Sequence, residues 1–176
     1  MKKQSGLLRR LTALALALCM LAALTAEIFA ADTVASGYCG SEGDGKNLTW
    51  TLDSEGVLTI SGLGKMKDYE NDNKNRAPWY SSRKSLKKLV LKSGITSIGD
   101  YAFFDCSNLT GDLKIPSNVH SIGENAFGYC SGFNGSLTIE NGVVEIKKYA
   151  FYHCKGFTGS LKIPNSVTYI GVYAFL

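Results

Sequence analysis

The sequence has little of the chemistry on which many enzymes and metalloproteins depend. Its 176 residues include only two histidines and three prolines, and its five cysteines are an odd number. Two histidines and widely separated thiols do not give the ligand spacing of a zinc site. The scarcity of proline excludes collagen-like and proline-rich disordered chains. Three evenly spaced cysteines, Cys106, Cys130 and Cys154, together with Cys39 do not resemble a disulfide framework. We therefore expect a folded chain with no metal ion or other cofactor.

The part of the chain expected to fold has no strong excess of one charge. The formal net charge is +4, but residues 1–31 contain four basic residues and one acidic residue, so the remainder carries +1. A nucleic-acid-binding surface needs a concentrated basic face, and we expect no nucleic-acid partner. One basic cluster is interpreted as a solvated surface rather than a phosphate site: Arg83, Lys84, Lys87, Lys88 and Lys92.

Residues 1–31 have the three parts of a secretory signal peptide. Two lysines and two arginines form a basic start, residues 11–24 are nearly all leucine and alanine, and alanines close to residue 31 offer cleavage sites. The apolar run is shorter than the roughly 20 residues that span a membrane. We predict export with removal of this segment, and no membrane span afterwards. A lipid anchor through Cys19 is disfavoured, since Leu18 stands where such sites prefer a small residue.

Most of the remaining sequence, Leu89–Leu176, repeats one pattern every 24 residues, and the fourth copy is incomplete. The recurring residues are Leu89, Leu113, Leu137 and Leu161; Ile98, Ile122, Ile146 and Ile170; the Ala-Phe pairs beginning at Ala102, Ala126, Ala150 and Ala174; and Cys106, Cys130 and Cys154. A period in the low twenties is typical of a solenoid whose units bury their apolar sides by stacking. We assign the repeats to residues 81–176 and expect a fragment of a longer protein, because an apolar end needs a cap.

Each repeat is predicted to contain short β-strands and a short helical turn. One continuous core should be lined by these residues and their equivalents in later copies: Leu89, Leu91, Ile98, Ala102 and Phe103. The Ala-Phe pair is expected to start the helical turn, and glycines at positions 99, 123 and 171 should supply a free φ for the bend before it. The third copy has Lys147 there, so its bend must form without that freedom.

The segment before the repeats, residues 32–80, is predicted to form a β-hairpin cap followed by a polar loop. Residues 47–61 have the pattern of two strands around a turn at 53–56, and one hairpin face could close the open end of the stack. Trp79 and Tyr80 are expected to fill the join to the first repeat. The acidic and amide residues of the loop lack the ligand order of a calcium-binding loop, so a plain surface loop is favoured.

The repeat resembles the BspA-like leucine-rich repeats of bacterial surface and secreted proteins. The second copy matches position by position through Leu113-Lys-Ile-Pro116, Val119, Ile122-Gly123, Ala126-Phe127, Cys130, Gly132-Phe133 and Gly135-Ser136. Cys39-Gly40 and the hairpin segment also resemble the cap that often precedes such repeats. The resemblance implies a right-handed, gently curved solenoid, built mainly of short strands, that serves in adhesion or protein binding. It implies no catalytic residue, because the motif positions of the family are structural.

Stacking would place Cys106, Cys130 and Cys154 about 4.8 Å apart from copy to copy. That distance is compatible with a bridge between neighbours, but side chains in a ladder usually run parallel. We favour buried, reduced thiols that act as apolar fillers. His153 beside Cys154 is the best candidate for a catalytic pair, yet neighbours in a tight turn point apart and no third group orients the imidazole. We predict no enzymatic activity.

The predicted function is an exported, adhesin-like protein-binding module that is secreted or located at the cell surface. Its partner would be a protein, such as a host matrix protein or another surface protein. A purely structural spacer or display solenoid is the alternative. The predicted binding residues are aromatic and share the region after each bend: Tyr101, Phe104, Tyr129, Tyr149, Tyr152 and Tyr173. The competing interpretation is that these rings only cover the turns.

Overall fold

Eleven short β-strands and one 3-10 helix form the regular structure of residues 31–176, the residues that this computed structural model describes. The strands are β1 (Thr33–Tyr38), β2 (Leu48–Asp53), β3 (Val57–Gly62), β4 (Gly64–Lys65), β5 (Lys88–Leu91), β6 (Ile95–Ile98), β7 (Leu113–Ile115), β8 (Ser121–Ile122), β9 (Leu137–Ile139), β10 (Glu145–Ile146) and β11 (Tyr169–Ile170). The 3-10 helix spans Tyr80–Ser82. The predicted signal peptide lies, up to residue 30, outside the described residues.

The hairpin predicted from the sequence is formed by β2 and β3, which pair antiparallel. The Oδ1 atom of Asp53 accepts hydrogen bonds from the backbone N–H of Glu55 at 3.0 Å and of Val57 at 2.8 Å. Gly56 completes the turn with a φ of 83°, which glycine adopts at little cost. β1, which the sequence did not predict, pairs antiparallel with β2, and β3 pairs parallel with β5. The hairpin sheet therefore continues into the first strand of the repeats.

Parallel strands from successive repeats pair in a register that advances by one repeat per strand. Ile98 lies opposite Ile122, and Ile146 lies opposite Ile170, in a sheet ordered β4, β6, β8, β10 and β11. A second ladder joins β7 to β9. The equivalent residues of neighbouring copies are therefore stacked directly, as the 24-residue period predicts.

The segment that follows each bend is a series of β-turns and not the predicted helical turn. Its hydrogen bonds span three residues, from the N–H of Ala102 to the carbonyl of Gly99 and from Phe104 to Tyr101. Tyr101 and Asp105 have φ values of 52° and 55°. A right-handed helix cannot continue through left-handed residues, so the helical prediction is wrong. The 3-10 helix given above is the only helix within the described part of the chain.

A column of phenylalanine rings forms the centre of the repeats. Phe103, Phe127 and Phe151 are buried, and neighbouring ring centroids are 5.1 Å apart in both stacked pairs. The predicted core is confirmed for the first three copies, apart from the half-buried Leu91 and Leu137. In the fourth copy it holds for the buried Ala174 but is wrong for three other positions, because no further strand packs on that side among residues 31–176. The exposed core positions there are Leu161 (42%), Ile170 (48%) and Phe175 (37%).

Trp79 fills the join between the hairpin sheet and the first repeat, as predicted. It is buried, its indole N–H donates to the carbonyl oxygen of Ala102 at 2.8 Å, and its ring stacks on Phe103 at 5.4 Å. Trp50 and Tyr69 contact it edge to face, each at 5.9 Å. The indole N–H of Trp50 and the hydroxyl of Tyr69 are buried and find no hydrogen-bond partner among the described residues.

Tyr80, expected to share this position, is instead half-buried and lies between two arginines. The guanidinium groups of Arg76 and Arg83 are each 4.0 Å from the centre of its ring. Arg83 also donates to the carboxylate of Asp105 at 3.0 Å, and Lys84 lies 3.2 Å from the same carboxylate. Two members of the basic cluster are thus paired with an acidic group, which agrees with a solvated surface.

The glycines at positions 99, 123 and 171 are needed for space and not, as predicted, for a positive φ. All three have an ordinary φ. A Cβ on Gly123 would lie 2.5 Å from the backbone nitrogen of Asp100, and a Cβ on Gly99 would collide with the carbonyl of Lys67. At Gly99 and Gly123 the backbone of the preceding turn lies too close for a Cβ in its ideal position. Lys147 makes the same corner without glycine and directs its ammonium towards Asp100 at 3.5 Å.

Candidate binding surface

Six aromatic side chains from four repeats lie in one unbroken series of ring contacts, which we call the aromatic shelf. They are the six residues predicted from the sequence as binding residues. In contact order they are Tyr101, Phe104, Tyr129, Tyr152, Tyr149 and Tyr173. Successive ring centroids are 5.4, 5.5, 5.5, 5.1 and 5.5 Å apart. The first four contacts are edge to face and the last is stacked, both of which are favourable arrangements for aromatic rings.

The turns that carry the shelf are held above one another by backbone hydrogen bonds. The N–H of Tyr101 donates to the carbonyl of Glu124 at 2.8 Å, and the N–H of Asn125 donates to Lys148 at 3.1 Å. These bonds join successive repeats in the manner of a β-ladder, whose strand spacing is about 4.8 Å. The shelf is therefore attached to an ordered stack of turns.

Four of the shelf tyrosines have left-handed backbones. The φ values are 52° at Tyr101, 63° at Tyr129, 58° at Tyr149 and 56° at Tyr173. Such a conformation is unfavourable for a bulky side chain. Asn125, the equivalent of Tyr101 in the second copy, has the same conformation with a φ of 50°, which asparagine tolerates well. Backbone conformation therefore does not explain tyrosine at these positions, and strain of this kind supports a hypothesis of function.

The second repeat presents small residues where the first and third present rings. Asn125 is equivalent to Tyr101 and Tyr149, and Gly128 is equivalent to Phe104. Asn125 is only 8% exposed, and its amide Nδ2 donates to the hydroxyl of Tyr101 at 3.2 Å. A Cβ on Gly128 would lie 3.2 Å from the Phe104 ring, so this ring leans over the glycine.

A shallow depression of about 290 Å³ results. Its lining residues are Asn71, Tyr101, Phe104, Asn125, Tyr129, Tyr149 and Tyr152. All seven are uncharged, and each has either an aromatic face or an amide. The depression therefore offers apolar contact with a few neutral hydrogen-bonding groups, which is the usual composition of a recognition site.

The charged groups next to the shelf belong to residues that precede its tyrosines in the sequence. Burial raises the pKa of Tyr101, and the nearby carboxylate of Glu124 raises this pKa further. At the other end, the ammonium of Lys148 lies 4.7 Å from the ring centre of Tyr149. The lining of the depression is thus uncharged, with a carboxylate near Tyr101 and an ammonium over the ring of Tyr149.

The sequence interpretation missed three residues of this surface. Asn71 comes from the polar loop before the repeats and gave no signal, because nothing in the 24-residue pattern connects it with the turns. Asn125 shares its repeat position with three tyrosines but is not aromatic itself. His153 shares its position with Tyr129, and its ring lies 5.1 Å from Tyr129 and 4.1 Å from Tyr152. Repeat position was therefore the signal that could have found the last two.

The thiols of the repeats form no disulfide, as favoured from the sequence, but the prediction that all three are buried is wrong for Cys154. Cys106 and Cys130 are buried and Cys154 is half-buried, and all three are free, as is Cys39. Cys130 and Cys154 donate to the carbonyl oxygens of Phe103 and Phe127 at 3.0 Å each. Burial raises the pKa of Cys106 and of Cys154 to about 12. A thiol so rarely ionised is a poor nucleophile, which agrees with a role as a core filler.

Within residues 31–176 no cluster of three or more histidine, cysteine, aspartate or glutamate residues is arranged to hold a metal ion. In the polar loop, the Asp72 carboxylate instead accepts hydrogen bonds from the backbone N–H of Lys74 at 2.8 Å and of Asn75 at 2.7 Å. It therefore stabilises the local turn. The same part of the chain contains no helix with the length and apolar character to cross a membrane.

Stacked parallel strands and turns that recur around a column of isoleucine and phenylalanine side chains define a leucine-rich repeat protein. The chain belongs to the BspA type leucine-rich repeat family, whose model matches in six copies within residues 77–176. No curated protein gives a significant match.

Two crystal structures resemble the chain. A leucine-rich repeat protein from Eubacterium ventriosum is 35% identical over 80% of this chain, with a TM-score of 0.65. A leucine rich cell surface protein from Faecalibacterium prausnitzii is 20% identical over 82% of this chain, with a TM-score of 0.43. The chain spans 35% of the first protein and 52% of the second. The first comparison supports the leucine-rich repeat fold.

Proposed function

We propose that the chain is an exported, adhesin-like module of a bacterial surface or secreted protein, and that a protein partner binds to its aromatic shelf. The observation that carries the proposal is the unbroken contact of six aromatic rings from four repeats. Tyrosine is enriched at binding hot spots because it buries a large apolar area while keeping a polar tip. Leucine-rich repeat domains generally mediate protein interactions, which supports the same assignment.

Binding can be tested with a panel of immobilised host matrix proteins and bacterial surface proteins. The variant to compare with the wild type carries Tyr101→Asn, Tyr149→Asn and Tyr173→Asn together, since asparagine suits a left-handed backbone. Tyr38→Asn is the matched control, because Tyr38 is 57% exposed on β1 and lies away from the shelf. Loss of binding in the triple variant alone, with an unchanged melting temperature, supports the proposal. Absence of binding by all three proteins favours a display spacer, and equal binding by all three would place the partner outside the shelf.

Export is the second part of the proposal, and it rests on the signal-like pattern of residues 1–31. The full chain would be expressed in a bacterium and its N-terminus determined from the culture medium and the cell surface. We expect the exported chain to begin close to residue 32. An intact N-terminus retained inside the cell would contradict this part.

We also propose that β1, β2 and β3 cap the first repeat and that the stack is right-handed and gently curved. The parallel pairing of β3 with β5 and the packing of Trp79 against Phe103 support the cap. A chain that lacks residues 33–62 should aggregate or lose its cooperative unfolding, because it exposes the first repeat. An experimental structure that shows a left-handed or straight stack would overturn the proposed shape.

Absence of catalysis belongs to the same proposal. The buried, weakly acidic thiols and the lack of an orienting partner for His153 support it. Screening the chain for thiol-dependent hydrolysis, with Cys154→Ser as the comparison, provides the test. Activity that disappears in that variant would contradict a purely binding role.

A further inference from the structure

The shelf contains two equivalent pairs of rings separated by one repeat. Tyr101 and Phe104 form the first pair, with centroids 5.4 Å apart and ring planes at 61°. Tyr149 and Tyr152 form the second, with centroids 5.1 Å apart and planes at 67°. The two pairs occupy the same repeat positions and have nearly the same geometry. In each pair the two ring planes are steeply inclined to each other, and we call such an inclined pair a wedge.

The distance between the two wedges follows from the stacking of the turns. The first and third repeats are two ladder steps apart, and each step is about 4.8 Å, so the wedges lie about 9.6 Å apart. A polyproline II helix has three residues per turn and rises about 3.1 Å per residue, so its side chains return to the same face every 9.3 Å or so. Prolines three residues apart would therefore meet both wedges.

The region between the wedges also suits this partner. Asn125 and Gly128 keep the second repeat lower than its neighbours, and Tyr129 joins the two pairs at 5.5 Å on each side. A polyproline II segment has no internal hydrogen bonds, so its carbonyl groups need outside donors. The tyrosine hydroxyls and the side-chain amide of Asn71 are the neutral donors that line the depression.

Charge favours the same class of partner. The lining residues carry no charge, so a charged ligand residue within the depression would lose water without gaining an opposite charge from the lining. The ammonium of Lys148, 4.7 Å from the centre of the Tyr149 ring, disfavours a basic ligand residue beside the second pair. At the rim, Glu124 lies near Tyr101 and forms no ion pair among residues 31–176. It is therefore placed to attract a basic residue that flanks the uncharged segment.

We propose that the aromatic shelf binds a proline-rich polyproline II segment of a protein partner, with prolines three residues apart and a basic residue at one end. This inference rests on the proposed binding function and specifies its ligand. Recognition of such segments by aromatic-lined grooves is a general mode of peptide binding, since the extended ligand loses little conformational entropy.

The test is isothermal titration calorimetry of the full chain with two synthetic peptides. One repeats Pro-Ala-Ala and the other repeats Pro-Ala-Ala-Ala, each with an arginine at one end. Only the first returns its prolines to one face at every turn. We expect it to bind at least about tenfold more tightly than the second. Equal affinities for the two peptides would overturn the proposal.

Single variants locate the site. Tyr101→Asn and Tyr149→Asn should each weaken binding of the Pro-Ala-Ala peptide by about tenfold or more, and Tyr38→Asn should leave it unchanged. Asn125 shows that this position accepts asparagine at the same φ. Phe104→Gly, which copies the residue that the second repeat has at this position, provides an independent variant should either asparagine variant lose its fold. Unchanged binding in the folded variants would overturn the proposed site.

Other outcomes separate this inference from the proposed function. Suppose that neither peptide binds, but that the wild type binds a matrix protein and the triple tyrosine variant does not. The proposal of a proline-rich ligand is then wrong, and the proposed binding function stands. If a neutral oligosaccharide such as maltohexaose binds the shelf in place of the peptides, the ligand class is wrong. If the triple variant binds every tested protein and peptide as the wild type does, both proposals fail.

Discussion

The side-chain amide of Asn125 donates a hydrogen bond of 3.2 Å to the hydroxyl of Tyr101, the residue that occupies the same position one repeat earlier. The two residues also share a left-handed backbone, with φ values of 50° and 52°. One repeat thus has a side chain that suits this conformation, and its neighbour has a ring that does not. Exchanging these residues therefore separates the contribution of the backbone to the free energy of unfolding from the contribution of the ring.

The first prediction concerns backbone strain and ring contacts at Tyr149, whose φ is 58°. Tyr149→Asn should change the free energy of unfolding by no more than about 1 kcal/mol, because relief at the backbone offsets lost ring contacts. Tyr149→Val should cost about 1–3 kcal/mol, since a β-branched residue is strongly disfavoured there. Urea denaturation of both variants provides the measurement. Equal stability of the two would show that the backbone is not strained.

The second prediction concerns the phenylalanine column. Phe127→Ala should destabilise the chain by about 3–5 kcal/mol, because Phe127 is fully buried between Phe103 and Phe151. Phe175→Ala is the matched control: Phe175 stacks on Phe151 only and is 37% exposed, so its loss should cost roughly half as much or less. Similar costs at both positions, measured by denaturant unfolding, would contradict the assigned core.

The third prediction concerns the thiols. Cys39, Cys106 and Cys130 should react with a thiol reagent only after denaturation, and the half-buried Cys154 should react first under mild conditions. Burial raises the pKa of Cys39 to about 12, so raising the pH moderately should not expose a reactive thiolate. Labelling of a Cys19→Ser chain, read by mass spectrometry, counts these four. Rapid labelling of the native Cys130 would refute the burial.

The fourth prediction concerns pH and Asp105. Burial opposes ionisation of Asp105, but hydrogen bonds from Arg83 and Lys84 prevail and lower its pKa. The carboxylate therefore stabilises the fold above its ordinary pKa of about 3.9, and this contribution is lost as pH falls through the lowered folded value. Asp105→Asn should cost up to about 1 kcal/mol at neutral pH. In denaturant unfolding, the difference between the two proteins should disappear as the pH falls below the lowered folded pKa of Asp105, because both side chains are then neutral. A cost that persists in acid would assign the effect to packing.

The fifth prediction concerns the unpartnered hydroxyl of Tyr69. This group is buried at the join, and burial raises its pKa. Tyr69→Phe removes a polar atom that has no partner among the described residues, so the chain should unfold at the same or a higher temperature. Trp79→Phe, which removes the bonded indole N–H at the same join, should lower the melting temperature. A clear loss of stability in Tyr69→Phe would indicate a bound water at the hydroxyl.

The repeat architecture could be predicted from the sequence because one apolar pattern recurs without a change of spacing. Ile98, Ile122 and Phe127 were placed in the core on that pattern alone, and the structure buries them. The hairpin also followed from local signals, namely alternating side chains on β2 and a turn that ends in Gly56. Such features depend on residues close in sequence or separated by one constant interval.

The conformations inside the repeat could not be predicted in the same way. Periodicity shows that Ala102 and Phe103 recur together, but it does not distinguish a helical turn from successive β-turns with a left-handed Tyr101. Glycine is required at position 99 because a Cβ there would collide with the carbonyl of Lys67. Lys67 belongs to a segment outside the repeats. Asn71 joins the shelf for the same kind of reason. The 24-residue period does not predict contacts with segments that lie outside the repeats.

The constant separation between paired strands has a consequence for how the chain folds. Ile98 with Ile122 and Ile146 with Ile170 close loops of the same length, so each new repeat carries a similar entropic cost of loop closure. Each pairing between repeats joins neighbouring copies and needs no contact with a distant part of the chain. Assembly can therefore begin at any neighbouring pair and extend step by step. Amide hydrogens of β11, at the edge of its sheet, should exchange before those of β8, which has a strand on each side.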